Sequence, residues 1–328
     1  MARVIVLGHA EVAAALPMED CIEAMGSILA AHARGEVHQP LRSVMMPPGS
    51  NGFLGLMPSH RGGDNPVFAL KTVAIFPGNP ARGLDAHQGT VALFDGETGV
   101  PTAVLDASAI TSIRTAAVSG LATRLLSRGN STDLAILGSG TQATAHLQAM
   151  LAVRDIGHVR VYSPNREHAE RLTQVDTDGV PVEVADSAEE AVRDADVVVT
   201  ATNSREPVLE HDWIAAGTHI NAVGASTPSA RELDIATVAA SSLFPDSRES
   251  LGAEAGEFQL ALRENAIPGP EFVKAELGEV AAGMHPGRVS AEEITLFRSL
   301  GLGIEDLAAA ELAVANARER GAGVEVEL

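Results

Sequence analysis

Apolar residues recur along the chain at two spacings, and each spacing predicts a different kind of element. Helical spacing is present in residues 18–34, and Gly35 follows as a stop signal. The preceding stretch, residues 4–16, is interpreted as a first strand and the start of a helix. A largely antiparallel sheet is expected next, because short β-rich runs are separated there by Gly, Pro and Asn. Its predicted strands are 53–57, 67–75, 90–94 and 101–105, with a hairpin loop at 95–99.

From residue 115 onward, helical and strand patterns alternate. The predicted strands are 133–137, 158–162, 182–184, 197–201 and 219–223. The predicted helices are 115–126, 141–153, 166–172, 187–193 and, near the end of the chain, 304–318. Strands that alternate with helices form right-handed βαβ units on a parallel sheet. The expected fold class is therefore α/β, with a Rossmann-type doubly wound parallel sheet.

Composition and charge exclude several classes of protein. With 328 residues, the chain is expected to form two domains. Its formal net charge of −20 argues against nucleic-acid binding and against a basic helix on a membrane surface. No apolar run approaches the roughly 20 residues that span a bilayer. The single cysteine, Cys21, is interpreted as a buried structural thiol rather than a catalytic one, which favours a reducing, cytoplasmic environment. No metal site is predicted.

A glycine-rich loop follows the predicted strand at 133–137 and leads into a helical pattern. Gly138 permits the tight turn, Gly140 lets the backbone approach a pyrophosphate, and Ala143 allows helix and strand to pack closely. The helix N-terminus offers N–H groups to the phosphates. We predict a dinucleotide site at the G-x-G-x-x-A sequence Gly138-Ser139-Gly140-Thr141-Gln142-Ala143.

The end of the next strand bears on the choice of cofactor. NAD sites commonly carry an acid there, which binds the ribose 2′-hydroxyl. This chain has no Asp or Glu in that region before Glu167, and Ser163, Asn165 and Arg166 are predicted to receive a 2′-phosphate. The alternative is that Arg166 only begins a solvent-exposed helix. The sequence favours NADP(H), with NAD(H) as the second option.

Three cations, Arg42, Lys71 and Arg114, are notable because they lie among apolar residues in an acidic chain. Strand alternation places Lys71 on an apolar face with Val67, Ala69, Val73 and Ile75. A cation on such a face needs an anion, either a protein carboxylate or a ligand. Arg114 lies at the start of the second region, where a cleft is expected. Taken singly, each cation is more often part of a structural ion pair than of a ligand site, whereas together with the dinucleotide loop they indicate an NADP-linked oxidoreductase of an anionic substrate.

Eight segments, taken in order, resemble the ornithine cyclodeaminase/mu-crystallin family. The resemblance extends over nearly the whole chain. The segments are Leu16-Pro-Met-Glu-Asp20, Gly52-Phe-Leu-Gly-Leu-Met-Pro58, Ala69-Leu-Lys71, Ile113-Arg-Thr-Ala-Ala117, Leu137-Gly-Ser-Gly-Thr-Gln142, Asn221-Ala-Val-Gly-Ala-Ser226, Ala275-Glu-Leu-Gly-Glu279 and Ser299-Leu-Gly-Leu-Gly-Ile-Glu-Asp306.

The resemblance implies that Arg42, Lys71 and Arg114 hold a substrate α-carboxylate against the nicotinamide. It also implies that the last helix folds back, so that residues 1–120 and 302–328 form a discontinuous α+β substrate-binding and dimerisation domain. Residues 121–301 form the dinucleotide-binding domain, and a homodimer is expected. Further residues assigned to the cofactor site are Thr202, Val223, Gly224 and Ser299.

Two positions separate branches within this family. Its cyclodeaminases carry an Asp where this chain has Ser226 and a Glu where it has Gly55. A site without these acids has nothing obvious to pair with a distal ammonium, unless another acid takes their place. The resemblance is therefore to the mu-crystallin-like ketimine reductases and pyrroline-2-carboxylate reductases. It implies NAD(P)H-dependent reduction of Δ1-pyrroline-2-carboxylate or Δ1-piperideine-2-carboxylate to proline or pipecolate.

In this interpretation most of the acceleration comes from positioning, and Lys71 or a water held by Ser226 donates the proton. Three other functions stay open at this point. One is an ornithine cyclodeaminase that recycles NAD internally, and another is an amino-acid dehydrogenase similar to alanine dehydrogenase. The third is a non-catalytic, NADPH-dependent binding protein.

Overall fold

The computed structural model describes residues 3–328, which form two compact units. The first unit contains the chain up to Arg114 together with Gly301–Leu328, and the second contains Thr115–Leu300. Each unit is built around its own β-sheet. The first unit is discontinuous in sequence, because the end of the chain returns to it.

The chain begins with strand β1 (Arg3–Leu7) and helices α1 (His9–Ala15) and α2 (Met18–Ala33). Helix α2 ends before Gly35, whose φ of 75° lies in the left-handed region. Six strands and one helix follow: β2 (Val37–His38), β3 (Ser43–Met45), β4 (Phe53–Arg61), β5 (Val67–Ile75), β6 (His87–Asp95), β7 (Pro101–Asp106) and α3 (Ala107–Leu126).

The second unit alternates strands and helices. Its strands are β8 (Asp133–Leu137), β9 (His158–Tyr162), β10 (Val182–Val184), β11 (Val197–Thr200), β12 (His219–Ala222), β13 (Ser242–Pro245) and β14 (Thr295–Arg298). Its helices are α4 (Thr141–Val153), α5 (Arg166–Leu172), α6 (Ala188–Val192), α7 (Ile235–Ala240), α8 (Arg248–Glu254), α9 (Gly256–Arg263) and α10 (Leu277–Ala281). The chain ends in the first unit with helix α11 (Gly303–Glu319) and strand β15 (Val324–Glu327).

The sheet of the first unit has the strand order β15-β1-β7-β6-β5-β4-β2, and β3 pairs with β4. Its neighbouring strands are antiparallel except β1 and β7. Helix α11 packs on β4, β5 and β6 and contacts α1 and α2. Val67, Ala69 and Lys71 are buried along β5, which confirms the predicted alternation. The buried face of the sheet is therefore the one that carries Lys71.

The sheet of the second unit has the order β10-β9-β8-β11-β12-β14-β13, and all of its strands are parallel. The chain first extends the sheet from β8 in one direction and then, from β11, in the other. This reversal next to the first strand is the arrangement of a Rossmann-type sheet. The predicted doubly wound parallel fold is confirmed.

The structure also differs from the sequence predictions. Helix α3 begins at Ala107 rather than at residue 115, because the Asp106 carboxylate accepts a hydrogen bond of 2.8 Å from the Ala109 N–H and caps it. Strands β13 and β14 were not predicted, because their short apolar runs end in Pro245 and Arg298, residue types that are uncommon in buried strands. Among residues 3–328, no helix has the length and apolar character needed to cross a bilayer.

Candidate functional site

The loop between β8 and α4 has the backbone that a dinucleotide requires. Gly138 has a φ of 124°, and a Cβ at this position would collide with the carbonyl oxygen of Ala201. Gly140 faces open space and begins α4 without a side-chain cap. The open approach to Gly140 and the helix N-terminus fit the pyrophosphate of a dinucleotide.

The other residues assigned to the cofactor follow the carboxyl ends of neighbouring parallel strands. Ser163 follows β9, Thr202 follows β11, and Val223 and Gly224 follow β12. Ser299 directly follows β14, and the Ser139 hydroxyl donates to the Ser163 hydroxyl at 2.9 Å. The carboxyl ends of parallel strands lie at one edge of a sheet, which is where ligands of this fold bind.

Glu232 joins two of these strand ends and was not identified from the sequence. It is fully buried, and its Oε1 accepts the Thr202 N–H at 2.7 Å. Its Oε2 accepts the Gly224 N–H at 2.6 Å and the Thr200 hydroxyl at 2.9 Å. Burial raises the pKa of the Glu232 carboxyl, and the donors from Thr202 and Thr200 oppose that rise. One carboxylate thus fixes the turns after β11 and β12.

The residues assigned to the 2′-phosphate already have protein partners. The Asn165 side chain caps α5 by accepting from the His168 N–H. Arg166 forms ion pairs with Asp186 at 2.7 Å and with Glu170 at 3.4 Å. Both pairs are exposed to solvent, and such pairs contribute only about 0–1 kcal/mol. A phosphate would have to compete with Asp186 for Arg166.

The three cations identified from the sequence all contact one short segment of the first unit, residues 301–306. Lys71 on β5 and Arg114 on α3 are 3% and 4% exposed. Lys71 Nζ donates to Asp306 Oδ1 at 3.0 Å, and Arg114 Nε donates to the same oxygen at 2.9 Å. Arg114 Nη1 also donates to Glu305 Oε2 at 2.7 Å. Protein carboxylates on α11 therefore bind two of the three cations.

Arg42 completes this set through the backbone that precedes α11. It is half-buried, and its Nη2 donates to the carbonyl oxygen of Gly301 at 2.9 Å. Gly301 has a φ of 83°, and a Cβ there would lie 2.8 Å from Arg114 Nη1. The turn at Gly301 thus brings Arg42 and Arg114 close together, and only glycine fits it.

Burial dominates the electrostatics of these groups. It lowers the pKa of Lys71 to about 8, with Arg114 and Arg42 contributing in the same direction and Asp306 opposing. Burial likewise raises the pKa of the Cys21 thiol to about 12, so this thiol stays protonated. The lowered pKa lets the ionisation of Lys71 change near neutral pH.

The two positions at which the branches of the family differ lie in different units of the structure. Gly55 is buried in β4 opposite Val73, on the same face as Lys71. Ser226 is exposed in the loop after β12. That loop is held by Arg298, which is buried, pairs with Glu257 and donates to the carbonyl oxygens of Ala222 and Ala225.

Comparison with known proteins agrees with this geometry. A model of the ornithine cyclodeaminase/mu-crystallin family matches residues 3–321. The chain belongs to this family. The ketimine reductase mu-crystallin of Mus musculus is 40% identical to it over 278 residues, or 85% of each chain.

Two solved structures of the family are also similar over the full length. The Δ1-pyrroline-2-carboxylate reductase of Thermococcus litoralis, in complex with NADH and L-proline, has a TM-score of 0.94 and 36% identity, covering 98% of this chain and all of its own. An archaeal alanine dehydrogenase, a dimer with bound NAD, has a TM-score of 0.93 and 37% identity, covering 99% of both chains. This member of the ornithine cyclodeaminase/mu-crystallin family is an NAD(P)H-dependent oxidoreductase acting on carbon–nitrogen bonds.

Sequence reasoning missed the buried acids of this family member and the arginine that holds the Ser226 loop. Asp306 and Glu305 stand at the start of the apolar helix α11, and Glu232 precedes Leu233 in a short segment. Acids among apolar residues are a signal of buried ion pairs, and this signal would have found Glu305 and Asp306. Nothing in the pattern around Glu232 or Arg298 indicates their role.

Proposed function

We propose that this protein uses NADPH to reduce a small cyclic imine with a 2-carboxylate to the corresponding cyclic amino acid. The proposed substrates are Δ1-pyrroline-2-carboxylate and Δ1-piperideine-2-carboxylate. The convergence of Lys71, Arg114 and Arg42 carries the proposal. Cations in a site with little water bind a carboxylate strongly, and a guanidinium also orients it.

The absence of acids at two positions supports reduction over cyclodeamination. Gly55 lies on the Lys71 face of the sheet and contributes no carboxylate, and Ser226 contributes a hydroxyl. Glu305 and Asp306 bring acids to that face, but they bind Arg114 and Lys71. The names of the mouse and Thermococcus litoralis relatives, a ketimine reductase and a reductase of a cyclic imine, support the same branch.

Each residue has a defined task in this mechanism. Arg42 and Arg114 hold the substrate carboxylate, and Lys71 adds a point charge and is the candidate donor of the proton that the imine nitrogen requires. Ser226 can hold a water as an alternative donor. When bound, the dinucleotide supplies a hydride to the carbon of the C=N bond. Gly138 to Gln142 hold the dinucleotide phosphates, while Thr202, Val223, Gly224 and Ser299 line the strand ends where it extends.

We propose NADPH as the preferred cofactor and NADH as an accepted one. No acid stands at the end of β9 to repel a 2′-phosphate, and Ser163 offers a hydroxyl there. The phosphate would exchange with Asp186 at Arg166, which costs little because that pair is exposed. The Thermococcus litoralis relative is bound to NADH, which supports NADH as an accepted cofactor.

We also propose that two copies of the chain form a homodimer through the outer face of the first sheet, which is the face opposite Lys71. Phe68 is 46% exposed on this face, and Leu56, Leu70 and Phe94 beside it are only half-buried. An apolar sheet face of this kind is typical of an interface between subunits. The archaeal alanine dehydrogenase relative is a dimer, which supports a second copy of this chain as the occupant.

A second candidate function is an amino-acid dehydrogenase. The similarity to an archaeal alanine dehydrogenase over 99% of both chains favours it. Such an enzyme would take a keto acid and free ammonia, so its assay differs from that of an imine reductase.

Consumption of NADPH by the purified protein separates the two functions. With Δ1-pyrroline-2-carboxylate or Δ1-piperideine-2-carboxylate, we expect one amino acid formed per NADPH, at a kcat/KM about 100-fold or more above that for pyruvate with ammonium. A kcat/KM for pyruvate with ammonium that equals or exceeds the imine value, with either NADPH or NADH, would make the protein an amino-acid dehydrogenase.

A further inference from the structure

Asp306 lies between the two buried cations of the first unit. Its Oδ1 accepts from Lys71 Nζ at 3.0 Å and from Arg114 Nε at 2.9 Å, and the residue is 1% exposed. Among the described residues, its Oδ2 accepts no hydrogen bond although it is buried. A buried carboxylate oxygen without a donor is costly, so the contacts to Oδ1 must hold the group in place.

The position of Asp306 is fixed from several sides. It lies in the first turn of α11, which packs on β4 and β5. Its neighbour Glu305 anchors the same guanidinium through Arg114 Nη1 at 2.7 Å. Glu305 also closes the start of α11 by accepting the Leu302 N–H. The carboxylate of Asp306 therefore meets Lys71 as part of a rigid helix end.

The charged groups around Lys71 have opposite effects on its protonation. Arg114 from α3 and Arg42 from the segment before β3 disfavour its ammonium form, as does burial, and His87 at the start of β6 interacts with it. From α11, Asp306 is the carboxylate that contacts Lys71, whereas Glu305 contacts Arg114. The negative charge of Asp306 thus favours the ammonium form of Lys71, which the two arginines disfavour.

We propose that Asp306 is a positioning residue that keeps Lys71 protonated and aimed, so that its ammonium donates the proton to the imine nitrogen. This inference rests on the proposed function. The imine nitrogen takes a proton from Lys71, which becomes a neutral amine, and the C=N carbon receives a hydride from the bound dihydronicotinamide. The former π pair stays on nitrogen, the product is a secondary amine, and water returns a proton to Lys71. The pKa of Lys71 near 8 suits this cycle, because the group can both give and regain a proton near neutral pH.

The composition of the chain makes Lys71 directly observable. The sequence contains only two lysines, Lys71 and the exposed Lys274. A protein labelled with 13C,15N-lysine therefore gives two side-chain signals in an NMR titration, and Lys274→Arg identifies the one from Lys71. We expect the Cε of Lys71 to titrate at about 8 in the wild-type protein without any ligand.

Asp306→Asn and Glu305→Gln are a matched pair of variants. Both remove one buried charge from the same turn of α11, but only the first neutralises the carboxylate that contacts Lys71. We expect Asp306→Asn to lower the Lys71 pKa by about one unit or more, and Glu305→Gln to lower it by less than half as much. Equal shifts in the two variants, or none in Asp306→Asn, overturn the assignment of Asp306.

A measurement on the wild type decides the same point if Asp306→Asn does not fold. The Cγ signal of Asp306 is expected to shift over the pH range in which Lys71 titrates, since the two groups share a hydrogen bond. An Asp306 signal that does not change over that range overturns the proposal.

The pH dependence of imine reduction tests the donor role separately. The kcat/KM is expected to fall above the Lys71 pKa, and in Asp306→Asn this fall is expected to begin at a pH lower by the NMR shift. A profile that does not move while the Lys71 pKa does overturns the donor role. If the wild type reduces no imine, the proposed function fails, whereas the NMR titration still decides whether Asp306 sets the charge of Lys71.

Discussion

Arg114 is the residue at which the proposed substrate binding and local stability coincide. Its guanidinium contacts Glu305 and Asp306, and it lies beside Gly301, to which Arg42 donates. A lysine at this position would keep the charge but could not make both contacts, because it lacks the planar fork. Arg114 is therefore expected to serve the substrate carboxylate and the buried acids at once.

Replacing Arg114 with Ala is expected to lower kcat/KM for the imine by about 100-fold or more, since a charge-assisted contact in a dry site contributes about 2–5 kcal/mol. The Kd of NADPH, measured by fluorescence titration, is expected to stay within about threefold. Tm should fall as well, because two buried carboxylates lose a partner. Turnover within a few-fold of wild type would show that Arg114 is purely structural.

Ser163 is the residue at which cofactor preference is tested. Ser163→Asp is expected to shift the ratio of kcat/KM values from NADPH toward NADH by about tenfold or more, because a carboxylate repels the 2′-phosphate and binds the free 2′-hydroxyl. The kcat with NADH serves as the internal control and should change little. A wild-type protein that already uses NADH as well as NADPH would contradict the proposed preference.

Lys71 shows how far a single residue can be predicted. Strand alternation and the surrounding apolar residues predicted its burial and its need for an anion, and both are observed. The pairing of Lys71 with Asp306 was not predictable, because Asp306 lies 235 positions away on the last helix. Contacts between distant segments depend on the fold, which no local pattern encodes.

Among the elements, length alone did not decide what was predictable, since the short strands β10, β11 and β12 were predicted whereas β13 and β14 were not. Strand β5 has nine residues, enough to show alternation on one face. Strands β13 and β14 are as short as β11 and β12, but their apolar runs end in Pro245 and Arg298, which are uncommon in buried strands. The doubly wound parallel sheet was predicted from the βαβ alternation, whereas the link between strand ends through Glu232 was not.

Glu232 connects β11 and β12 at the edge where the cofactor is expected. Glu232→Gln replaces one acceptor with a donor, so either the Thr202 or the Gly224 N–H loses its partner. We expect the Kd of NADPH to rise about tenfold and the free energy of unfolding to fall by about 1–3 kcal/mol. Glu206→Gln, which removes an acid from an exposed pair with Arg231, is the matched control and should change neither. An unchanged Kd in Glu232→Gln would show that these turns do not bind the cofactor.

At the scale of the whole molecule, the outer face of the first sheet predicts a dimer. Light scattering should give twice the 33.9 kDa mass of the chain. Phe68→Asp is expected to weaken the dimer strongly, because it places a charge in the centre of the apolar face. Val289→Asp, at a site that is 73% exposed in the second unit, is the control and should leave the mass unchanged. A monomeric wild type, or a Phe68→Asp protein that stays dimeric, would contradict this interface.

The proposed enzyme reduces an external imine and does not form one from a diamine. Incubation with ornithine and catalytic NAD⁺, assayed for ammonia and proline together, distinguishes these two reactions when it is run beside NADPH-dependent reduction of Δ1-pyrroline-2-carboxylate. We expect rapid proline formation from the imine and neither product from ornithine, since Gly55 and Ser226 provide no carboxylate for the amine. Stoichiometric release of ammonia and proline from ornithine, at a rate comparable to imine reduction, would contradict it.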